Sequence, residues 1–399
     1  MLKDLSHNLR LTPSQDERNR QEFVASLRHH ILDHMATSMR NHYEQRVRPA
    51  FERANGRPPV DGNEVHDAMQ AERYFRFYSS IRYNAQEMVF RSVIPVVDRN
   101  LEQLNARARA EPGNFIPDPD LAVPANVANI DVHLSPGSYH SEYDVDDVSA
   151  GAIYDNSINV FAFSQMGRDV DDVGHSFANY VRLAWPDFKP ADILDAGCTV
   201  GHNTLPWAKT FPAAAVTGID VSPGVVRYAA ARACSFGLPV RFMQMNATQL
   251  SFPDESFDVV FSSMFLHELP LRDIRAYFRE AFRVLKPGGL FLNMELPPND
   301  RMEPYDGFYL DWDSYYNKEP WYKRFRDQNF RQLCTAAGFA GDRFVEAVVP
   351  RYTYTPLAEF EAAVRQSLGR DAQFDNRTGR LSEDLRWYGF GAWKQGGKS

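Results

Sequence analysis

The stretch Ile193 to Thr204, ILDAGCTVGHNT, limits this chain more than any other. An apolar lead-in, an acid at Asp195 and small residues at Ala196, Gly197, Thr199 and Gly201 describe a buried strand that ends in a tight turn, whose backbone can lie against a ligand. The next apolar run, VTGIDVS, ends in Asp220, about twenty residues beyond the turn, where a βαβ unit places the carboxylate that grips a ribose. A nucleoside-type ligand at the edge of a parallel sheet follows from the pair. The glycine pattern is incomplete for a dinucleotide enzyme, because Thr199 stands where a second close-approach glycine belongs.

With 399 residues, 44% of them hydrophobic, the chain has material for one large core and an appended unit. A net charge of −8 repels phosphate backbones, so nucleic acid is not the expected partner. Three scattered cysteines, Cys198, Cys234 and Cys334, suit a reducing compartment and form neither a disulfide framework nor a zinc set. No apolar run nears the roughly 18 residues of a membrane span, and the opening MLKDLSHNLRLTPSQ lacks a signal peptide's apolar middle. A cytoplasmic protein without membrane contact is expected.

Thr12, Pro13 and Gln15 read as a helix start, and Phe23, Leu27, Ile31, Met35 and Met39 give an apolar face that runs to about Ala54. A second helix from about Asn63 to Ala110 should kink or split at Pro95. Such long helices must pack on each other, on the core or on a second copy, which makes a homodimer through them a possible arrangement. His30 and His34 share a face, but no third ligand stands in register, so no metal is expected. Five prolines between Glu111 and Pro136 deny that segment regular structure. The polar, aromatic segment from Tyr139 to Arg182 then precedes an alternation of strands and helices from Ala191 onward. Extension (1–125), covering segment (126–186) and α/β domain (187–399) are the expected units.

Four segments resemble, in order, the class I S-adenosylmethionine-dependent methyltransferases, notably the branch similar to ubiquinone and menaquinone biosynthesis enzymes: DAGCTVG, GIDVS, NATQLSFPDESFDVVFSSMFLHEL and RVLKPGGLF. They cover about a quarter of the chain. The resemblance implies a Rossmann-like, doubly wound, seven-stranded α/β sheet with an antiparallel last strand, here carrying a helical N-terminal extension. It implies S-adenosylmethionine as cofactor, with Asp195 near the methionine amine, the backbone of Gly197, Cys198, Thr199 and Gly201 beside methionine and ribose, and Asp220 on both ribose hydroxyls. Val221, Asn246 and Ala247 would meet the adenine, Asn246 replacing the acid usual there. Upstream, Tyr139, Tyr143, Tyr154 and Arg168 are candidates to cover the cofactor, with Tyr154 and Arg168 taken as contacts to it.

Methyl transfer asks the protein for alignment, exclusion of water and, where needed, a base. Ser263, His267 and Glu268, at the end of the fourth strand, are the catalytic candidates, His267 first as base or substrate contact and Ser263 also as a cofactor contact. Between about 300 and 326 the insertion EPYDGFYLDWDSYYNKEPWYKRF crowds aromatics among acids, and Tyr309, Trp312, Tyr315 and Tyr316 are expected to line a substrate pocket as a lid. Cys198 is expected to pack, not to react, and Leu296-Pro297-Pro298-Asn299 reads as a turn. The expected activity is methyl transfer to an O, N, S or C nucleophile of a small molecule. Two alternatives use the same cofactor: cyclisation of its aminobutyrate arm, and binding without catalysis as a partner subunit.

Overall fold

The computed structural model describes residues 2–382 and 384–396. Its centre is one eight-stranded sheet built from β1 (Asn114–Ile116), β2 (Asp192–Ala196), β3 (Ala215–Asp220), β4 (Arg241–Gln244), β5 (Phe257–Ser263), β6 (Leu285–Glu295), β7 (Phe344–Pro350) and β8 (Arg386–Trp393). The spatial order is β1-β4-β3-β2-β5-β6-β8-β7. Strands β1 to β6 pair in parallel, whereas β8 lies antiparallel between β6 and β7. The seven strands expected from β2 onward are present with the antiparallel β8. The eighth, β1, falls in the proline-rich segment expected to be irregular. Gly113 explains its entry: with φ +64 and Ala230 so close that a Cβ would sit 2.1 Å from its carbonyl oxygen, only glycine lets the chain pass there.

Chain order reverses on either side of β2, whose neighbours are β3 and β5. Loops leaving the carboxyl ends of adjacent strands diverge at such a point and open a crevice. The sheet is covered by α7 (Ser149–Phe161), α8 (Asp172–Ala184), α9 (Thr204–Thr210) and α10 (Pro223–Ser235) with one core cluster, and by α11 (Leu271–Val284) and α14 (Phe330–Ala337) with another; α15 (Leu357–Ser367) lies against β7. α11 shows how sequence fixes a face: Ile274, Tyr277, Phe278, Ala281 and Val284 are buried at helical spacing while the arginines between them stay out.

The N-terminal extension begins with α1 (Gln15–His30), continues through π-helical turns at Ile31–Met35 and Tyr43–Val47, and includes α2 (Ala36–His42) and α3 (Arg48–Asn55). Its cap is Ser14, not Thr12: the Ser14 hydroxyl accepts from the Glu17 backbone while the Glu17 carboxylate accepts from the Ser14 N–H. The second helix divides at Gln70–Glu72, between α4 (Gly62–Met69) and α5 (Arg73–Ala110), and runs unbroken through Pro95. Burial of Val89, Val93, Val96 and Val97 around that proline holds the helix against the missing backbone bond. A short α6 (Ala125–Ala128) follows β1.

The aromatic insertion forms α12 (Pro304–Tyr316) and α13 (Tyr322–Arg326). Tyr305, Phe308, Tyr309 and Trp312 are buried in a third apolar cluster with Ile31, Met39, Val65, Met69, Phe75 and Tyr78. They weld the extension to the chain beyond β6, where a lid was expected. Trp312 packs on Phe75 and Tyr78 with ring centroids 5.6 and 5.1 Å apart. No helix of the described residues is long and apolar enough to cross a membrane.

Candidate active site

Two adjoining cavities of about 260 and 190 Å³ occupy the crevice at the strand ends. Val127, Gly197, Asp220, Val221, Phe265 and Leu269 belong to the walls of both, so together they form one elongated site. The first extends over Met245, Asn246 and Ala247. The second runs beneath the extension, past Asp195, Cys198, Thr199, Tyr139, Tyr154, Ser263, His267 and Glu268 to Phe90 and Phe161.

The turn after β2 is held from below. Gly197 and Cys198 donate to the Ile219 carbonyl at 2.9 and 3.0 Å, and Thr199 donates to Asp220 Oδ2 at 3.1 Å. Ser222 donates to the other oxygen, Oδ1, at 3.1 Å. Thr199 has φ +44, a left-handed conformation a β-branched residue rarely adopts, and the bond to Asp220 secures it. Gly197, at φ +71, could carry no Cβ, which would lie 2.4 Å from the Phe265 ring. Gly201 packs on Phe242 and lines neither cavity, so its role is in the turn.

Withdrawal from water pushes Asp220 up to about 6, against the pull of the Ser222 and Thr199 N–H groups. The same cause raises buried Asp195 to about 7, although the Thr204 hydroxyl donates to it. Asn246 Oδ1 is occupied: the Thr248 N–H and hydroxyl donate to it at 2.9 and 2.8 Å. Because a backbone N–H can only donate, the amide's NH2 is what remains to face a ligand.

At the other end lies a chain of alternating acids and histidines. Tyr139 donates to Glu268 Oε1 at 3.2 Å, and His133 Nε2 lies 3.6 Å from that same oxygen. His133 Nδ1 is 3.1 Å from Glu319, whose other oxygen is 3.8 Å from His267 Nε2. His267 Nδ1 is 2.7 Å from Glu295, which also accepts from the backbone of Phe265 and Leu266. Burial alone would lower both histidines; Glu319 and Glu268 instead carry His133 up to about 10, and Glu295 and Glu319 carry His267 to about 9. Each ring therefore holds both protons at neutral pH and has no free lone pair.

Beneath the turn, Asp155 is fully buried between His202, 2.6 Å away, and His7, 2.9 Å away, and it accepts from Tyr228 at 2.7 Å. Burial would raise its acid, but His7 and His202 hold it well below the ordinary range. The Tyr154 ring stacks on His202 with centroids 5.8 Å apart. This ties the N-terminal segment to the floor of the site.

The structure thus gathers Asp195, Gly197, Cys198, Thr199, Asp220, Val221, Asn246, Ala247, Tyr154, Ser263, His267 and Glu268 around one site. Burial, and after it the nearby Asp220 and Asp195, push the Cys198 thiol up, which fits packing. Arg168 is exposed and donates to the Asp4 carbonyl, away from both cavities. Tyr309, Trp312, Tyr315 and Tyr316 line neither cavity: Tyr309 and Trp312 are in the third core cluster, Tyr315 is 77% exposed and Tyr316 packs beside that cluster. His133, Glu295 and Glu319 escaped the sequence reading. Glu295, an acid closing the apolar strand GLFLNME, was the one available signal.

The profile of a family described as "Methyltransferase domain" matches residues 193–289. Over 34% of its length the chain is 33% identical to the erythromycin 3''-O-methyltransferase of Saccharopolyspora erythraea, and over 38% it is 33% identical to the malonyl-[acyl-carrier protein] O-methyltransferase of Hahella chejuensis. It spans 44% and 54% of those relatives' own lengths. A solved phosphoethanolamine N-methyltransferase 2 of Haemonchus contortus, in complex with S-adenosyl-L-methionine, aligns with 60% of this chain and 57% of its own, at 18% identity and a TM-score of 0.40. With β2 to β8 in the expected order and the matched segment enclosing the turn, Asp220 and the β5 passage, the chain carries a methyltransferase domain of the class I, S-adenosylmethionine-dependent family.

Proposed function

We propose that this chain is an S-adenosylmethionine-dependent methyltransferase acting on a small molecule. The observation that carries the reading is the Asp220 carboxylate in the shared wall of the two cavities. Each oxygen accepts one backbone N–H. A carboxylate offers about four lone-pair sites, so each oxygen keeps one for a ribose hydroxyl. The residues present therefore fit the cofactor, which when bound supplies an electrophilic methyl group on a sulfonium.

Asn246 donates its NH2 to an adenine ring nitrogen, in place of the acceptor role expected from sequence. Asp195 and Tyr154 border the methionine arm. At the acceptor end Glu268, not His267, receives the proton, since His267 is already doubly protonated. His267 acts as a positioning residue: through Glu295 it fixes the turn that carries Glu268. The apolar walls exclude water from the transfer. Relatives named as O- and N-methyltransferases support the reaction class.

The test is calorimetric titration with S-adenosylmethionine, followed by incubation of methyl-labelled S-adenosylmethionine with the protein and a metabolite extract. Saturable binding and a labelled small molecule with release of S-adenosylhomocysteine are expected. Absence of binding would overturn the reading; release of 5′-methylthioadenosine would replace it with cyclisation.

A further inference from the structure

The acceptor end of the site carries a charge pattern that narrows what it can hold. Among the described residues, no lysine or arginine lines the cavity that contains Glu268. Arg28 stands behind the wall: its Nε donates to the Phe161 carbonyl and its Nη1 to Gln86 Oε1, with the guanidinium 4.0 Å from the Phe161 ring centroid. The imidazolium rings of His133 and His267 are each held between two carboxylates, so neither offers a free cation.

Glu268 differs from the other acids of this cluster. Its side chain is 22% exposed, into the cavity, against 3% for Glu319 and none for Glu295. Beside it Tyr139 and Tyr154 meet edge to face, ring centroids 5.1 Å apart, and Phe161 and Phe265 complete the wall. A carboxylate among aromatic faces favours a cation twice, through charge and through the ring quadrupoles. An anionic acceptor would meet Glu268 and Asp220 with only the His133 and His267 rings, each already paired with two carboxylates, to offset them.

We propose that the methyl acceptor is an amine on an apolar body, an ammonium in solution that Glu268 selects and then deprotonates. The inference rests on the methyltransferase reading above and names its substrate class. The ammonium gives one proton to Glu268; the freed nitrogen lone pair forms the new N–CH3 bond as the donor's C–S bond breaks, and that bond's electron pair stays on sulfur. A primary or secondary amine thereby becomes a methylated ammonium, and Glu268 releases its proton to solvent when product leaves.

The experiment is calorimetry on the full chain saturated with S-adenosylhomocysteine, titrated with phenethylamine, phenethyl alcohol and phenylacetate, which share one apolar body. The amine should bind at least about tenfold tighter than either competitor. Glu268→Gln should bring it within about twofold of the alcohol, and Tyr154→Leu should weaken the amine severalfold while sparing the alcohol. Alcohol or acid binding as tightly as the amine, no probe binding to the S-adenosylhomocysteine complex, or an amine preference that survives Glu268→Gln would overturn the proposal. Failure of S-adenosylhomocysteine itself to bind would strike the earlier reading instead.

Discussion

The two ends of the site are built in opposite ways. The end that faces Asp220 and Asn246 comes mainly from the loops that follow the parallel strands β2, β3, β4 and β5, so most of its groups lie within a few residues of a strand terminus. The other end collects Tyr139, His133, Glu268, Glu319, His267 and Glu295 from segments up to 186 positions apart, through a chain of alternating charges. Backbone groups position the first end and buried ion pairs the second. Loss of one group should therefore weaken a ligand at the first end and unsettle the fold at the second.

The largest expected effect is that of Glu295→Ala. It strips two backbone N–H groups of their acceptor and leaves His267 facing a single, more distant acid, a loss of about 3–5 kcal/mol of stability by chemical denaturation. Cofactor affinity of the folded fraction should stay within about twofold. A mild stability effect with a large loss of affinity would erase the contrast between the ends.

Asp220→Ala tests the other side: cofactor affinity should fall at least tenfold, about 1.4 kcal/mol, with a smaller change in melting temperature. Unchanged binding in a calorimeter removes the ribose assignment.

The ends should also separate by pH. His133 and His267 have folded values raised above the ordinary 6.5, so their contribution to stability is complete below about 6.5 and fades as pH rises through about 9 to 10. Melting temperature should decline across that window, and Glu319→Gln should flatten the decline. At the other end a ligand that needs the ionised Asp220 binds more tightly as pH rises through about 6 and levels off above about 7. Cofactor affinity independent of pH between 5 and 8 would contradict that.

The smallest effect is Thr199→Gly. Relief of a left-handed threonine should add about 1 kcal/mol of stability, offset in part by the more flexible unfolded chain. A destabilised variant would mean that the Thr199 side chain does more than tolerate the turn.

This contrast also explains what could be read in advance. Asp195, Gly197 and Asp220 were legible because strand, turn and acid recur at fixed spacing in a parallel α/β sheet, and Asn246, Ser263 and Glu268 only through the resemblance to the methyltransferases. The helices of the domain were legible from their apolar period, as in Ile274 to Val284. Spacing is silent about His133 and Glu319, whose meeting depends on how three segments pack. The aromatic insertion misled for a related reason: rings among acids suit a pocket wall and an amphipathic helix alike. The deciding partners of Tyr309 and Trp312, Phe75 and Tyr78, lie more than two hundred residues upstream. Strand β1 was hidden by its prolines, since three residues between breakers carry no period of their own.

The packing of Trp312 has a spectroscopic consequence. Its indole is 3% exposed, among Phe75, Tyr78, Tyr309 and Tyr316. Its emission should be blue-shifted and resistant to soluble quenchers for as long as the N-terminal helices stay docked. A difference spectrum between the protein and Trp312→Phe would then act as a built-in optical gauge of that docking, one that reads the joint and not the catalytic turnover.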